Sequence, residues 1–393
     1  MIYRGPNTAH GRGTPSTIPA WRSAMAANTW AEIPGNTLAD IDPAASATYN
    51  PNYPSTAPWA GTGGQIIVSR GWNSTVFDRA TDTLWIPLAG GHTDYAGNEP
   101  YKICLRSETP NWSMIRPPSG AVGNTITLND GQEATGLYSD GRLRSVHSYT
   151  NNAYVDGLGP VITRTNAHFS SAAGRIQKVY AINETTGEAS VLSDYTALSY
   201  PDPVGSSDAG GCYDPSRGVI WHIGSATARM LKTVVATGVT TAVGEYNNLT
   251  QGDGSCMIYV STHDVIMVSS SVSPYFRVFD PVTELWTSPT ISGSYSAGLN
   301  NNYPGMDWCP DLGKMLMWNN ASATTEITTL TPGANPRTDA WTTGILTVSG
   351  ANAVTPPARP SGRTHKRFGY STNLKGCYLF QSNATPIYFF ATE

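Results

Sequence analysis

Residues 77–91 read FDRATDTLWIPLAGG: an aromatic residue, a short polar turn, and an almost continuous apolar run closing on a glycine pair. The run at 84–91 does not alternate polar with apolar, so both faces of its strand must be covered, as in a sheet stacked between two others. The arrangement recurs along the chain. Apolar runs ending in small polar residues lie at 219–224 (VIWHIG), 265–269 (VIMVS), 315–319 (MLMWN) and 377–382 (CYLFQS), with a weaker copy at 143–151 (LRSVHSYTN). An aromatic residue and a turn precede each of them: Tyr138-Ser139-Asp140, Tyr213-Asp214-Pro215, Tyr259-Val260-Ser261, Trp308-Cys309-Pro310 and Tyr370-Ser371-Thr372.

Each run is followed by a third strand, at 100–105, 176–182, 229–235, 275–279, 325–330 and 386–391, and then usually by a turn and a tryptophan, as at Trp112, Trp286 and Trp341. Four strands repeated six times predict an all-β fold, a six-bladed β-propeller of four-stranded antiparallel blades. The last unit lacks a fourth strand. Residues 28–34 (NTWAEIP) repeat the turn, tryptophan and strand pattern, so they are expected to complete the last blade and leave no open seam. That gives a propeller over 28–393, preceded at 1–27 by an extended arm. The arm has little apolar periodicity and several breakers (Gly5, Pro6, Gly11, Gly13, Pro15, Pro19), so it is expected to be ordered only by docking on another subunit.

Composition narrows the function. Among 393 residues only 13% are charged, the net charge is −4, and no basic run exceeds 363–367, which argues against nucleic acid as a partner. Five widely spaced cysteines with no C-x-x-C argue against a disulfide framework and a structural zinc site. No stretch approaches about 18 consecutive apolar residues, so membrane insertion is not expected. The first fifteen residues contain no apolar core of a secretory signal. A surface rich in Thr, Ser, Asn and Gly nevertheless suits work outside a cell, which a virion component assembled in host cytoplasm and a trimmed secreted enzyme both satisfy.

The glycine pair Gly90-Gly91, Tyr101 after a short loop, and Trp112 about ten residues later resemble the kelch motif of galactose-oxidase-like propellers. The other units replace the glycine pair by Gly224-Ser225, Ser269-Ser270 or Asn319-Asn320. Residues 90–99 (GGHTDYAGNE) are also similar to stretches in kelch-like virion proteins of tailed bacteriophages. The oxidase's copper chemistry does not carry over. It needs a cysteine near a tyrosine in space, and neighbours such as Cys212-Tyr213 and Cys377-Tyr378 point to opposite faces of a strand. No cofactor is expected.

Alternation along antiparallel blades puts the inter-blade connections and the loops between second and third strands on one face. Candidate ligand residues there are His92, Asp94, Tyr95, Asn98 and Glu99, the densest polar cluster in the chain, which is equally a turn satisfying its own backbone. Asp130, Asp208 and Asp253 each precede an inner strand, either as a polar or cation-binding rim or as residues that a tight turn needs. Arg70 beside Trp72 is a sugar-stacking pair or a stabilising contact. His147 and Tyr149 are the residues that would serve a polysaccharide lyase, one handling the proton beside a uronate carboxyl with the other. The expected function is a non-enzymatic virion protein of a tailed phage: a fibre, receptor-binding or decoration module. It would attach to other virion proteins through residues 1–27 and bind host-surface glycan, with a secreted polysaccharide lyase as the alternative.

Overall fold

In a computed structural model of the chain, the apolar runs form strands buried from end to end, such as Val265–Ser269 and Gly376–Leu379. The structure describes residues 17–61, 63–70, 73–88, 90, 95–121, 136–145, 148–163, 177–198, 210–224, 229–245, 256–269, 276–293, 304–318, 320–358 and 364–393. Its strands form six sheets, each built on four antiparallel strands and arranged as the blades of a propeller.

Strand β1 (Thr29–Glu32) belongs to the last blade. Blade 1 holds β2 (Val76–Asp78), β3 (Thr83–Ile86), β4 (Tyr101–Cys104) and β5 (Ser113–Met114). Blade 2 holds β6 (Asn152–Val155), β7 (Gly159–Ile162), β8 (Lys178–Ile182) and β9 (Ala189–Asp194). Blade 3 holds β10 (Gly211–Asp214), β11 (Val219–Gly224), β12 (Arg229–Val234) and β13 (Val239–Glu245). Blade 4 holds β14 (Cys256–Val260), β15 (Val265–Ser269), β16 (Phe276–Asp280) and β17 (Leu285–Thr287). Blade 5 holds β18 (Ile291–Ser292), β19 (Gly305–Cys309), β20 (Lys314–Trp318), β21 (Thr328–Thr331) and β22 (Trp341–Ile345), β18 pairing in parallel with β22 as a fifth strand that the repeat did not announce. Blade 6 holds β23 (Phe368–Ser371), β24 (Gly376–Leu379) and β25 (Tyr388–Ala391), completed by β1 in the register Trp30 to Phe390.

Period-two alternation explains the unbroken apolar runs. Val265 and Met267 pack toward blade 5, whereas Ile266 and Val268 pack toward blade 3. The hydrophobic core is therefore divided into wedges between successive blades, and each inner strand has apolar residues on both sides. The closing strand is bound into one such wedge: Trp30 is buried against Trp318 and Phe390, with ring centroids at 5.4 and 5.3 Å, and its Nε1 donates to Thr325 O at 2.9 Å.

Blade 2 departs from the reading of the sequence. Its first two strands are β6 and β7, not the segments at 138–140 and 143–151. The reason is polarity: Arg144, Ser145 and Ser148 cannot supply the two-sided apolar cover that Val155, Val161 and Ile162 do. Residues 137–143 instead make a small hairpin with a Leu137 to Leu143 bridge, where Asp140 Oδ1 accepts from Arg142 N at 3.1 Å.

Of the amino-terminal segment expected to be an extended arm, residues 1–16 lie outside the described residues. Ala20–Ser23 form one helical turn on the chain's own blades. Arg22 is buried there, its guanidinium donating to Leu374 O at 2.6 Å, Lys375 O at 3.1 Å and Glu393 O at 2.6 Å. Trp21 meets Phe389 edge-on at 5.3 Å.

Candidate functional site

Six inner strands, β2, β6, β10, β14, β19 and β23, surround the propeller axis, and they leave a cavity of about 370 Å³ between them. Its lining changes along the strands. The end where the inner strands begin holds Thr75, Asn152, Cys212 and Lys366, and the end where they turn toward the second strands holds Tyr154, Asp156, Tyr213, Tyr259, Ser261, Trp308 and Thr372.

The repeat builds that second end. In five blades the turn between first and second strands places a residue of positive φ just before the second strand, Asp82 (52°), Gly218 (62°), Asp264 (51°), Gly313 (61°) and Lys375 (51°), and in blade 2 it falls on the strand's first residue, Gly159 (101°). The aromatic residue before each turn therefore returns to the same level of the axis, and Phe77, Tyr154, Tyr213, Tyr259 and Trp308 line the cavity there. Tyr370 OH donates to Asp311 Oδ2 at 2.6 Å. Tyr259 OH lies 3.2 Å from Ser216 Oγ and donates to its own blade's Asp264 Oδ1 at 2.9 Å. Trp308 meets His263 edge-on at 5.6 Å, and Phe77 meets Tyr378 of blade 6 at 4.7 Å. Tyr154 OH donates to Glu184 Oε1 at 2.7 Å, and burial, reinforced by that bond and by Asp78, holds its phenol well above the ordinary range.

Ion pairs on the same face lock neighbouring turns together. Arg217 of blade 3 bridges Asp214 (2.7 Å) and Asp264 of blade 4 (2.6 Å), and Arg337 of blade 5 reaches Asp280 of blade 4 at 2.8 Å. Inside the rim, Arg79 of blade 1 arches past blade 6, donating to Tyr370 O at 2.9 Å and to Asp307 of blade 5 at 2.5 Å. Asp307 also accepts from Trp308 N at 2.9 Å and Tyr370 N at 2.8 Å. The result is an aromatic-rimmed funnel in which the Tyr154 and Tyr259 hydroxyls are held by Glu184 and Asp264 before any ligand arrives.

Not all of the residues singled out from sequence can be placed against this funnel. His92, Asp94, Trp72, Asp130, His147, Asp208 and Asp253 fall outside the described residues, as does much of the face built from inter-blade loops. Arg70 ends a short helix, Ile67–Arg70, and is exposed. Tyr149 is buried, with φ of 42°, and its ring lies 6.1 Å from His365. Asn98 is buried, donating through Nδ2 to Ser119 Oγ at 3.0 Å and Leu143 O at 2.9 Å.

Tyr95 and Glu99 do come together, but inside the core between blades 6 and 1. Glu99 Oε1 accepts from Tyr95 OH and, at 2.8 Å, from Tyr101 OH, which in turn accepts from Gln65 Nε2 at 3.0 Å. Glu99 Oε2 is buried with no hydrogen-bond partner among the described residues. Burial pushes this carboxyl up to about 7, against the pull of the tyrosine hydrogen bonds. Among the described residues no group of His, Cys, Asp or Glu side chains could hold a metal ion.

No protein-family model matches the chain and no curated protein matches it. Solved structures similar to it are distant. One is a structural-genomics protein of unknown function from Bacteroides thetaiotaomicron VPI-5482, at 11% identity and TM-score 0.45 over 92% of this chain and 75% of that one. Another is a chain of a nidogen/laminin complex, at 10% identity and TM-score 0.38 over 75% of this chain and 89% of that one. TolB from Acinetobacter baumannii aligns at 10% identity and TM-score 0.39 over 82% of this chain and 63% of that one.

Proposed function

We propose that this protein is a non-catalytic binding propeller, the adsorption or decoration module of a tailed-phage virion, and that it receives host-surface glycan at the aromatic rim of its axial funnel. The observation that carries the reading is that rim. Tyr154, Tyr213, Tyr259 and Trp308 line the cavity beside Asp156, Ser261 and Thr372, pairing apolar ring surface with oxygen acceptors and hydroxyls as a sugar requires. Pinned phenols and locked turns lower the ordering cost of binding. The low-charge, Thr/Ser/Asn/Gly-rich sequence and the short likeness at 90–99 support the virion setting.

A glycan array and whole-cell binding test the reading. The Tyr213→Ala/Tyr259→Ala double variant is expected to lose at least tenfold in affinity for the retained glycan while its circular dichroism stays that of the parent. Unchanged binding to glycan and to cells would remove the funnel rim as the ligand surface.

A further inference from the structure

The inner end of the axial cavity carries a cation with no counter-ion among the described residues. Lys366 lies just before β23 and lines the cavity at the end away from the aromatic rim. An ammonium has three hydrogens to donate. Two go to backbone carbonyls, those of Asn152 at 2.7 Å and Gly211, and no carboxylate among the described residues pairs with the third. Asp307, the carboxylate whose charge Lys366 feels, is already held by Arg79 and two backbone amides. The neighbouring thiols supply no charge either, since burial pushes Cys212 up to about 12 and Cys256 up to about 11. Burial also lowers the affinity of the Lys366 amine for its proton, a penalty that an arriving anion offsets. The other cation lining the cavity, Arg79, is paired.

We propose that Lys366 is the anchor of a binding site for a small carboxylate, such as the acid group of a sugar acid, that enters through the aromatic rim with its charge leading. One unshared N–H on one ammonium suits a singly charged oxyanion. A phosphate dianion calls for a forked guanidinium or several converging donors, which the described residues lining this end of the cavity do not supply. The inference does not rest on the adsorption reading, because it concerns free small anions rather than a cell surface.

Titration calorimetry at constant ionic strength tests it, with glucuronate, glucose, sulfate and chloride as probes. Glucuronate is expected to bind at least tenfold more tightly than glucose, and Lys366→Met is expected to lose at least tenfold of that affinity. If Lys366→Met does not fold, amine labelling of the parent protein followed by peptide mass spectrometry replaces it: glucuronate is expected to slow labelling at Lys366 and leave the other lysines unchanged. Binding of glucose equal to glucuronate, an equal response to chloride, tighter binding of sulfate, or binding and labelling indifferent to Lys366 would each overturn the proposal.

Discussion

Replacing Glu99 by Gln should make the protein more stable at and above neutral pH, and the size of the gain follows from the carboxyl's surroundings. The unfolded chain gives up this proton near the ordinary 4.5, whereas in the folded protein burial, with Asp42 adding like charge, holds it to about 7. Between those values the unfolded state binds fewer protons than the folded one, so stability falls as pH rises through the window and the loss is complete above about 7. At about 1.4 kcal/mol per pKa unit the loss amounts to roughly 3 kcal/mol. Glutamine keeps an oxygen to accept from Tyr95 and Tyr101 and has no proton to lose. With an unfolding entropy of roughly 2 cal/mol/K per residue, a chain of 393 residues moves its midpoint by about 1 °C for each kcal/mol. Glu99→Gln is therefore expected to melt about 3 °C above the parent at pH 8 and close to it at pH 4.5, followed by tryptophan fluorescence across that range. A parent-to-variant difference that does not change with pH would refute the reasoning, because then the buried carboxyl carries no charge penalty.

Trp30→Ala should cost about 3–5 kcal/mol, read from urea unfolding, because it empties the wedge that joins the closing strand to Trp318 and Phe390. Deletion of 28–34 should go further and leave β25 as an open edge, seen as aggregation by light scattering. Gly376→Ala would bring its Cβ to 2.2 Å from Phe390 O and 2.3 Å from Phe389 Cε1, an overpacking expected to cost at least about 1–3 kcal/mol in the same assay. Arg22→Ala should loosen the seat of the amino-terminal turn on blade 6, measured as faster hydrogen exchange at Ala20–Ser23 and at Leu374 with little change in the other blades.

Most of the fold was legible because burial on two sides leaves a simple mark. VIMVS at 265–269 has no polar break, and only a strand between two sheets can hide Val265 and Ile266 at once. The closing strand was legible for a related reason, since Trp30 stands in the same place relative to its turn as Trp286 and Trp341. Blade 2 was not, because its second strand offers just Gly159-Pro160-Val161-Ile162, too short to outweigh the longer but more polar run before it. The funnel was missed for a different cause. The aromatic residues of the first strands were read as punctuation of the repeat, although six copies of one position must fall on one rim. Lys366 sits in the basic stretch 363–367, which in sequence looks like a weak charge run, and nothing local shows that its amine enters the axis. Glu99 illustrates the converse: it stands in a dense polar cluster in sequence, yet Tyr95 and Tyr101 hold its carboxyl in an interior network.

The pairing of β1 with β25 joins strands about 360 residues apart along the chain. At a translation rate of about 5–20 residues per second, β1 emerges from the ribosome roughly 20–70 s before its partner exists. Through that interval Trp30 and the backbone of residues 29–32 have no sheet to join, while blades 1 to 5 contain all the strands they need from their own neighbourhood. The ring is thus the last thing to form, and its two ends must find each other by a long-range search with a high closure entropy. The same geometry works in reverse once the ring is shut. Peeling away the first strand opens a blade whose other three strands remain stitched to blades 5 and 1 through Asp311, Arg79 and Asp82, so the late step of assembly is also where escape from the native state is slowed.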